Sequence, residues 1–310
     1  RDWSWIPCAL RHCIGGVRLG CCEKIDPAAA VDEAIELAKS VDVPIIIAGL
    51  NADYETEAVD RHDLELPPGI NDLIWRIIVN QSGCPVTMPW ANQVSTLVHA
   101  WFGGQETGNA IADVLFGRYN PSGRLSVTFP RRLEDTPSFL SFGKGVRQMY
   151  YGEGVFIGHR YYEKLGNDPL CYFGTGLSYT TFEYSNLRVP EIVDLGDDGE
   201  QTFKVAVDVT TVDRDGYEIV QLYVSDVECD TIRPRKELKA FVKVWVPKGK
   251  KMKAEISLDK YAVSYWDEEE EIWLAEKGSF KAIISRSANP KDEVLQREFE
   301  LGRDLYWRGV

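Results

Sequence analysis

Histidine, methionine and long apolar runs are scarce in this chain of 310 residues, which has 4 His and 3 Met. No apolar stretch approaches the roughly 20 residues that a membrane-spanning helix needs, so we expect no membrane association. No basic segment followed by an apolar one is visible, so we find no signal peptide and leave the compartment open between secreted and cytoplasmic. The 35 Lys and Arg against 48 Asp and Glu give a net charge of −13, which argues against a nucleic-acid partner.

Motifs of several enzyme classes are missing as well. The chain has no G-x-S-x-G, no H-E-x-x-H and no P-loop. The first four of its seven cysteines follow the spacing C-x4-C-x7-C-C, which lacks a second ligand pair with zinc-site spacing, so we expect no metal. The glycine-rich segment 103–108 opens a predicted helix and could cradle a phosphate, but Glu106 would repel one. Tight packing of the helix start is the favoured interpretation.

The first half of the chain has the pattern of an α/β layer fold. Residues 27–40 carry apolar side chains at helical spacing, with Asp26 as N-cap and Pro27 as first helical residue. The β-branched run Val43–Gly49 is typical of a buried strand of a parallel sheet. Helices are also predicted at 68–76 and 107–116 and strands at 77–79 and 125–129, and residues 85–89 and 96–102 can be extended as well. Alternation of strands and helices predicts an α/β class.

The pattern changes after about residue 180. Short runs alternate apolar and polar side chains around 205–209, 220–224, 240–246 and 280–284, with turn residues between them. Such strands without long helices predict a β-sandwich of roughly 100 residues or a little more. The acidic run Asp267–Glu271 is interpreted as a solvated turn.

One loop concentrates groups that could carry chemistry. It follows the strand ending at Gly49 and holds Tyr54, Glu55, Glu57, Asp60 and Arg61. Ligands of open α/β sheets collect beyond the carboxyl ends of strands, and proton transfer to a leaving oxygen needs a carboxyl group with a raised pKa. The spacing does not say which carboxylate would be the acid, and an exposed acidic loop is the alternative.

A series of longer motifs carries a family resemblance. These segments are Ile46–Asn51, Glu55–Arg61, Leu64–Pro67, Val79–Gly83, Ala100–Glu106, Ala112–Gly117, Asn120–Leu125, Tyr151–Gly154, Phe173–Thr180 and Arg233–Leu238. In this order, and over roughly residues 14–285, the chain resembles the C-terminal half of the glycoside hydrolase family 3 enzymes of the fungal β-glucosidase kind.

The resemblance implies a three-layer α/β sandwich followed by an all-β fibronectin type III-like sandwich. It places a remnant of an inserted β-sandwich, or unplaced sequence, at 1–25 and the α/β domain at 26–135. A connector packed on that domain follows at 136–180, and the fibronectin-like domain occupies 181–310. It also implies an N-terminal (β/α)8 barrel that carries the nucleophilic Asp and lies outside these residues, so we expect that barrel as a partner.

The resemblance implies retaining hydrolysis of terminal β-D-glucosyl residues, which uses two carboxyl groups about 5–5.5 Å apart. It assigns the acid/base role to Glu57, with Glu55 as the fallback. Asp60, Arg61 and Tyr54 are the expected substrate-binding residues, shaping the loop or contacting the sugar. No metal or organic cofactor is implied, because this hydrolysis needs only carboxylates and water.

The chain alone is expected to be inactive without the nucleophile. Two alternatives stay open: a non-catalytic module that binds carbohydrate or a partner protein, and an inactive truncated product. The second rests on residues 1–13, which match no part of the family, and on Trp75-Arg76, which stand where relatives have a longer helix and loop. His159 also departs from the family, where Tyr is usual. Preferred linkage, aglycone and homo-oligomerisation are left open.

Overall fold

The computed structural model describes residues 27–50, 55, 61, 63–66, 77–142, 150–196, 198–229 and 231–309. The chain divides into two compact units. The first contains the described residues up to Ala112 together with Phe129–Thr136, and the second contains Asp113–Thr128 and the described residues from Pro137 onwards. Within the described part of the chain, no helix has the length and apolar character needed to cross a membrane.

The first unit is built on a parallel sheet. Helix α1 (Pro27–Lys39) precedes strand β1 (Ile45–Gly49), and β2 (Ile77–Gln81) and β3 (Thr96–His99) follow. β2 lies between the other two and pairs in parallel with both. Helix α2 (Thr107–Leu115) begins after β3. The helices predicted at 27–40 and 107–116 and the parallel pairing of β1 are thereby confirmed.

Burial in this sheet is uneven. Ile78 and Val79 of the central strand are buried, because β2 has a neighbour on each side. Ile45 and Ile47 of β1 are 43% and 60% exposed, while the alternate residues are covered. The prediction of a buried strand is therefore wrong for one face of β1, which lies at the edge of the three described strands.

Two other predictions for this half had different outcomes. Residues 125–129 do not form a strand: Leu125 instead exchanges backbone hydrogen bonds with Gly174 and Thr175, at 2.7 and 2.9 Å, and only Phe129 makes an isolated bridge. These two hydrogen bonds to a distant part of the chain take the place of the predicted strand pairing. The helix predicted at 68–76 lies outside the described residues.

The second unit is dominated by antiparallel strands, and its described residues include the short helix α3 (His159–Leu165). The strands are β4 (Phe182–Arg188), β5 (Ile192–Val193), β6 (Phe203–Thr211), β7 (Gly216–Asp226), β8 (Glu237–Val246), β9 (Lys251–Leu258), β10 (Tyr265–Asp267), β11 (Ile272–Ala275), β12 (Gly278–Ser285), β13 (Glu293–Leu301) and β14 (Leu305–Trp307). They form sheets of order β5-β13-β12-β7-β8, β4-β6-β9 and β10-β11-β14.

A large apolar core holds these sheets together. Val205, Val207 and Val209 of β6 point inward with alternate residues of β7 and β12, such as Leu222 and Ile284. The period-2 pattern of these runs is what places one apolar face of each strand in the core. The expected fold class, an α/β layer followed by a β-sandwich, is confirmed. The acidic run Asp267–Glu271 forms the exposed turn between β10 and β11, as predicted.

Candidate active site

The candidate site lies at the carboxyl edge of the parallel sheet. β1 ends at Gly49, β2 at Gln81 and β3 at His99. Because the strands are parallel, the loops that follow them leave from the same edge. In open α/β sheets this edge is where ligands bind.

The structure describes two of the five predicted site residues. Tyr54, Glu57 and Asp60 lie outside the described residues. Glu55 and Arg61 are described, and both reach the loop after β2, at residues 82–84. Both of these positions are therefore fixed to the loop that follows β2.

Glu55 is held by the backbone. The N–H of Gly83 donates to Oε2 of Glu55 at 3.1 Å. A Cβ atom on residue 83 would lie 2.6 Å from Oε1 of Glu55 and 2.9 Å from Cε2 of Phe102. Only glycine therefore lets the carboxylate and the phenyl ring close on this backbone. Phe102 keeps 59% of its surface exposed beside that carboxylate.

Arg61 anchors the other end of the loop. Its Nη1 donates to Sγ of Cys84 at 3.1 Å and its Nη2 to the carbonyl oxygen of Glu65 at 2.8 Å. Nη2 also lies 3.8 Å from Oδ1 of Asp63, and the side chain is only 16% exposed. Both terminal nitrogens of the guanidinium are thus engaged within the protein.

Cys84 accepts this bond as a thiol. Burial raises the pKa of the Cys84 thiol, and the Glu55 carboxylate raises it further, while the Arg61 guanidinium opposes them. Since only the thiolate is a good nucleophile, this cysteine is a structural partner of Arg61 in the site.

A buried polar network supports the loop after β2. Nδ2 of Asn80 donates to Oγ of Ser82 at 3.2 Å and lies 3.0 Å from Nδ1 of His99. Ser82 Oγ donates to the carbonyl oxygen of Cys84 at 2.8 Å. Asn80 is fully buried, so the sequon Asn80-Gln81-Ser82 has a structural role.

Aromatic rings enclose His99 at the end of β3. Trp101 and Phe129 meet its imidazole edge to face, with centroids 4.1 and 4.9 Å away. Burial lowers the pKa of His99 to about 4, so the ring is neutral near pH 7. Trp101 has φ +51°, a left-handed conformation that a bulky residue rarely adopts and that tends to occur at functional sites.

The glycine-rich turn after β3 packs a helix start. Oγ1 of Thr107 donates to the carbonyl oxygen of Gly104 at 2.7 Å. A Cβ atom on Gly103 would lie 2.5 Å from that same Oγ1, and Gly104 has φ +70°. These contacts agree with the packing interpretation of this segment.

The sequence pattern does not identify Gly83, Cys84, His99 or Trp101 as site residues. Their shared feature is that each lies at the end of a strand of the parallel sheet or within three residues after it. That position could have identified them once the strand order was known. Among the residues that the structure describes, no group of three or more His, Cys, Asp or Glu could hold a metal ion.

The chain consists of two parts. The first is a parallel α/β layer with a carboxylate-bearing loop at its carboxyl edge, and the second is an antiparallel β-sandwich. Residues 10–159 match the glycosyl hydrolase family 3 C-terminal domain, and residues 218–288 match a fibronectin type III-like domain. The chain therefore carries a glycosyl hydrolase family 3 C-terminal domain followed by a fibronectin type III-like domain.

Curated relatives bear the names of β-glucosidases. A probable β-glucosidase I of Neosartorya fischeri is 43% identical over 308 residues, which cover 96% of this chain and 36% of the relative. A probable β-glucosidase K of Emericella nidulans is 42% identical over 307 residues, covering 96% of this chain and 35% of the relative. The chain therefore spans little more than a third of the length of these relatives.

Two solved structures that resemble this chain are also β-glucosidases. A β-glucosidase from Kluyveromyces marxianus, solved in complex with glucose, is 40% identical with a TM-score of 0.85, covering 93% of this chain and 35% of that one. A family 3 β-glucosidase from Bifidobacterium adolescentis is 32% identical with a TM-score of 0.82, covering 94% and 43%. The fold described here is thus shared over nearly the whole of this chain.

Proposed function

We propose that this chain provides the acid/base half of a retaining β-glucosidase. Its family and the names of its relatives support the substrate class, a terminal β-D-glucosyl residue. In the proposal, Glu57 is the acid/base carboxyl group. The nucleophilic carboxylate comes from the part of the relatives that precedes this domain, in the barrel that the sequence resemblance implies.

The observation that carries the assignment is the hydrogen bond between Gly83 N–H and Glu55. This bond, together with the packing of Phe102, commits the Glu55 carboxylate to holding the loop. Of the two candidate carboxyl groups, Glu57 is then left for proton transfer. Glu55 becomes a positioning residue.

Arg61 fits the same division of roles. Its two terminal nitrogens already bind Cys84 and Glu65, so we assign it to fixing the loop and not to the sugar. Asp60 and Tyr54 stay proposed as substrate-binding residues. Phe102, exposed beside Glu55, adds an apolar surface on which an aglycone could pack.

The proposed reaction has two steps. In the first, the Glu57 carboxyl group donates its proton to the glycosidic oxygen while the nucleophilic carboxylate attacks the anomeric carbon; the alcohol leaves and a glucosyl-enzyme ester forms. In the second, the Glu57 carboxylate takes a proton from water, which attacks the same carbon. Glucose is released, and both carboxyl groups return to their starting states.

The test is complementation. The 310-residue chain is assayed on an aryl β-glucoside, alone and mixed with the separately produced N-terminal part of the Kluyveromyces marxianus enzyme. We expect activity only in the mixture, and Glu57→Gln should lower it by roughly 10²–10⁴-fold. Glu55→Gln is the matched control and should lower it far less, because the amide oxygen still accepts from Gly83.

Three outcomes would count against the proposal. Activity of the chain alone would place the nucleophile within these residues. Full activity of Glu57→Gln in the mixture would move the acid elsewhere. A broad, non-cooperative thermal transition of the chain would instead support the inactive-product alternative.

A further inference from the structure

Three tryptophans form a row across the sheet β10-β11-β14. Trp266 of β10 is the register partner of Trp273 of β11, which is the partner of Trp307 of β14. Direct cross-strand partners share one face of a sheet, so the three indoles follow one another on that face; the rings of Trp273 and Trp307 are stacked at 10°, and Trp266 meets Trp273 edge to face at 72°. Their centroids lie 5.8 and 6.2 Å apart. We call this set the Trp row.

One end of the Trp row is covered. Lys260 Nζ lies 4.8 Å above the centroid of Trp307 and donates to Glu200 at 2.8 Å. Tyr261 meets Trp273 and Trp307 edge to face, with centroids 5.3 and 5.5 Å away. Trp307, at this end, packs against the apolar core of the second unit and therefore has a structural role.

The other end of the Trp row is open. Trp266 lies on an edge strand and keeps 43% of its surface exposed. It leads directly into the exposed turn 268–271, which carries four consecutive glutamates. Asp267 Oδ1 caps this turn by accepting from the N–H groups of Glu269 and Glu270, at 2.9 and 3.1 Å. An exposed indole on an edge strand is therefore followed in the chain by a capped turn of four exposed glutamates.

This chemistry suits a neutral sugar. A pyranose ring has one face of C–H groups, which pack on the negative face of an indole. Its rim of hydroxyl groups donates hydrogen bonds to carboxylates, which accept only. The four glutamates repel anionic ligands, in line with the net charge of −13.

We propose that Trp266 and the turn 268–271 form a carbohydrate-binding surface, with the C–H face of a glucosyl ring stacked on the Trp266 indole. The choice of a β-linked glucosyl ligand rests on the proposed function. The surface itself rests on the register of the Trp row and on the charge of the turn. It would hold a β-glucan chain on the β-sandwich.

The chain offers a matched control for exposure. Trp245 of β8 is 44% exposed, almost the same as Trp266, and packs on Tyr217 with centroids 4.8 Å apart. Its neighbour on the same face is Lys243, 4.7 Å from the Tyr217 centroid, so a cation stands where the Trp266 surface has carboxylates. A difference in sugar affinity between substitutions of the two tryptophans would therefore reflect the charge of their surroundings and not their exposure alone.

The experiment is isothermal titration of the 310-residue chain with cellotetraose, a β-linked glucose tetramer. We expect saturable binding, weakened at least tenfold in Trp266→Leu, which keeps an apolar side chain but removes the flat ring. Trp245→Leu should stay within about twofold of the parent chain, and Trp266→Tyr, which retains an aromatic face, within about threefold. Thermal unfolding of each variant verifies its fold.

Several results would overturn the inference: no saturable binding, equal affinity of Trp266→Leu and the parent chain, or an equal loss in Trp245→Leu. If the parent chain binds tetralysine but not cellotetraose, and Trp266→Leu abolishes the tetralysine binding, the surface is a cation site. Glu57→Gln separates the two proposals. If it removes cellotetraose binding while Trp266→Leu does not, this inference fails and the proposed function stands; if complementation fails while Trp266-dependent binding persists, the reverse holds.

Discussion

Glu55 and Gly83 are joined by a hydrogen bond of 3.1 Å from the backbone N–H to the carboxylate. The bond ties the loop after β1 to the loop after β2, at the carboxyl edge where both strands end. It depends on the absence of a side chain at residue 83, because a Cβ atom there would lie 2.6 Å from the same carboxylate. The position of Glu55 is thus set by one glycine of the loop that follows the neighbouring strand.

Gly83→Ala should displace this loop. The new methyl group overlaps Glu55 and Phe102, so we expect a loss of about 1–3 kcal/mol in the free energy of unfolding of the first unit. Activity in the complementation assay should fall at least tenfold. Gly108→Ala is the control, because nothing lies within 4 Å of its added Cβ and the residue is helical. That variant should be as stable as the parent chain or slightly more stable; similar losses in both variants would contradict the argument.

Arg61→Lys should weaken the same loop without removing its charge. A lysine ammonium cannot reach both Cys84 and Glu65 with the forked geometry of a guanidinium. We expect a lower kcat in the complementation assay with little change in KM, since Arg61 is assigned to positioning and not to the sugar. A large rise in KM at constant kcat would instead make Arg61 a substrate-binding residue.

The period of apolar residues predicted most of the fold. Runs such as 205–209 and 220–224 alternate apolar and polar side chains, and each became a strand with one face in the core. Residues 125–129 have a similar pattern, but Leu125 pairs with Gly174 and Thr175, about 50 residues later in the chain. Local pattern carries no information about such a distant partner.

The site was predicted only in part. The acidic loop after β1 follows from its place beyond a strand, and the resemblance to a family ranked its carboxylates. The roles of Gly83, His99 and Trp101 depend on which strands lie side by side, and strand order is a tertiary property. The same holds for the Trp row, whose members are adjacent only through the register of three strands.

Burial of His159 should make stability depend on pH. Its ring stacks on Phe173, with centroids 4.9 Å apart, and burial lowers the pKa of His159 to about 4. The positive charges of Arg160 and Lys236 act in the same direction, and Glu237 opposes them. Because an unfolded histidine titrates near 6.5, the unfolded chain binds the proton first as the pH falls.

The folded state is therefore destabilised between about pH 6.5 and pH 4. From pH 7 to pH 5 we expect His159 to reduce the free energy of unfolding of the second unit by about 2 kcal/mol. His159→Phe keeps the stacking on Phe173 and should lose this part of the pH dependence. Urea unfolding at both pH values, followed by tryptophan fluorescence, checks it; an unchanged pH dependence in the variant would refute the assignment.

The buried ion pair of Lys236 and Glu293 should respond asymmetrically to its two deletions. Lys236 is fully buried and donates to Glu293 at 2.8 Å, whereas Glu293 also pairs with the half-exposed Arg235. Glu293→Ala leaves a buried ammonium without this carboxylate and should cost about 3 kcal/mol. Lys236→Met leaves Glu293 paired with Arg235 and fills the site with a side chain of similar length, so it should cost much less.

The exposed pair of Lys204 and Glu255, 2.6 Å apart, is the control, because Glu255→Ala should have no measurable effect on stability. Denaturant unfolding of the three variants measures how much each lowers the free energy of unfolding. Equal losses for Glu293→Ala and Lys236→Met would show that burial of the ammonium does not determine the loss of stability.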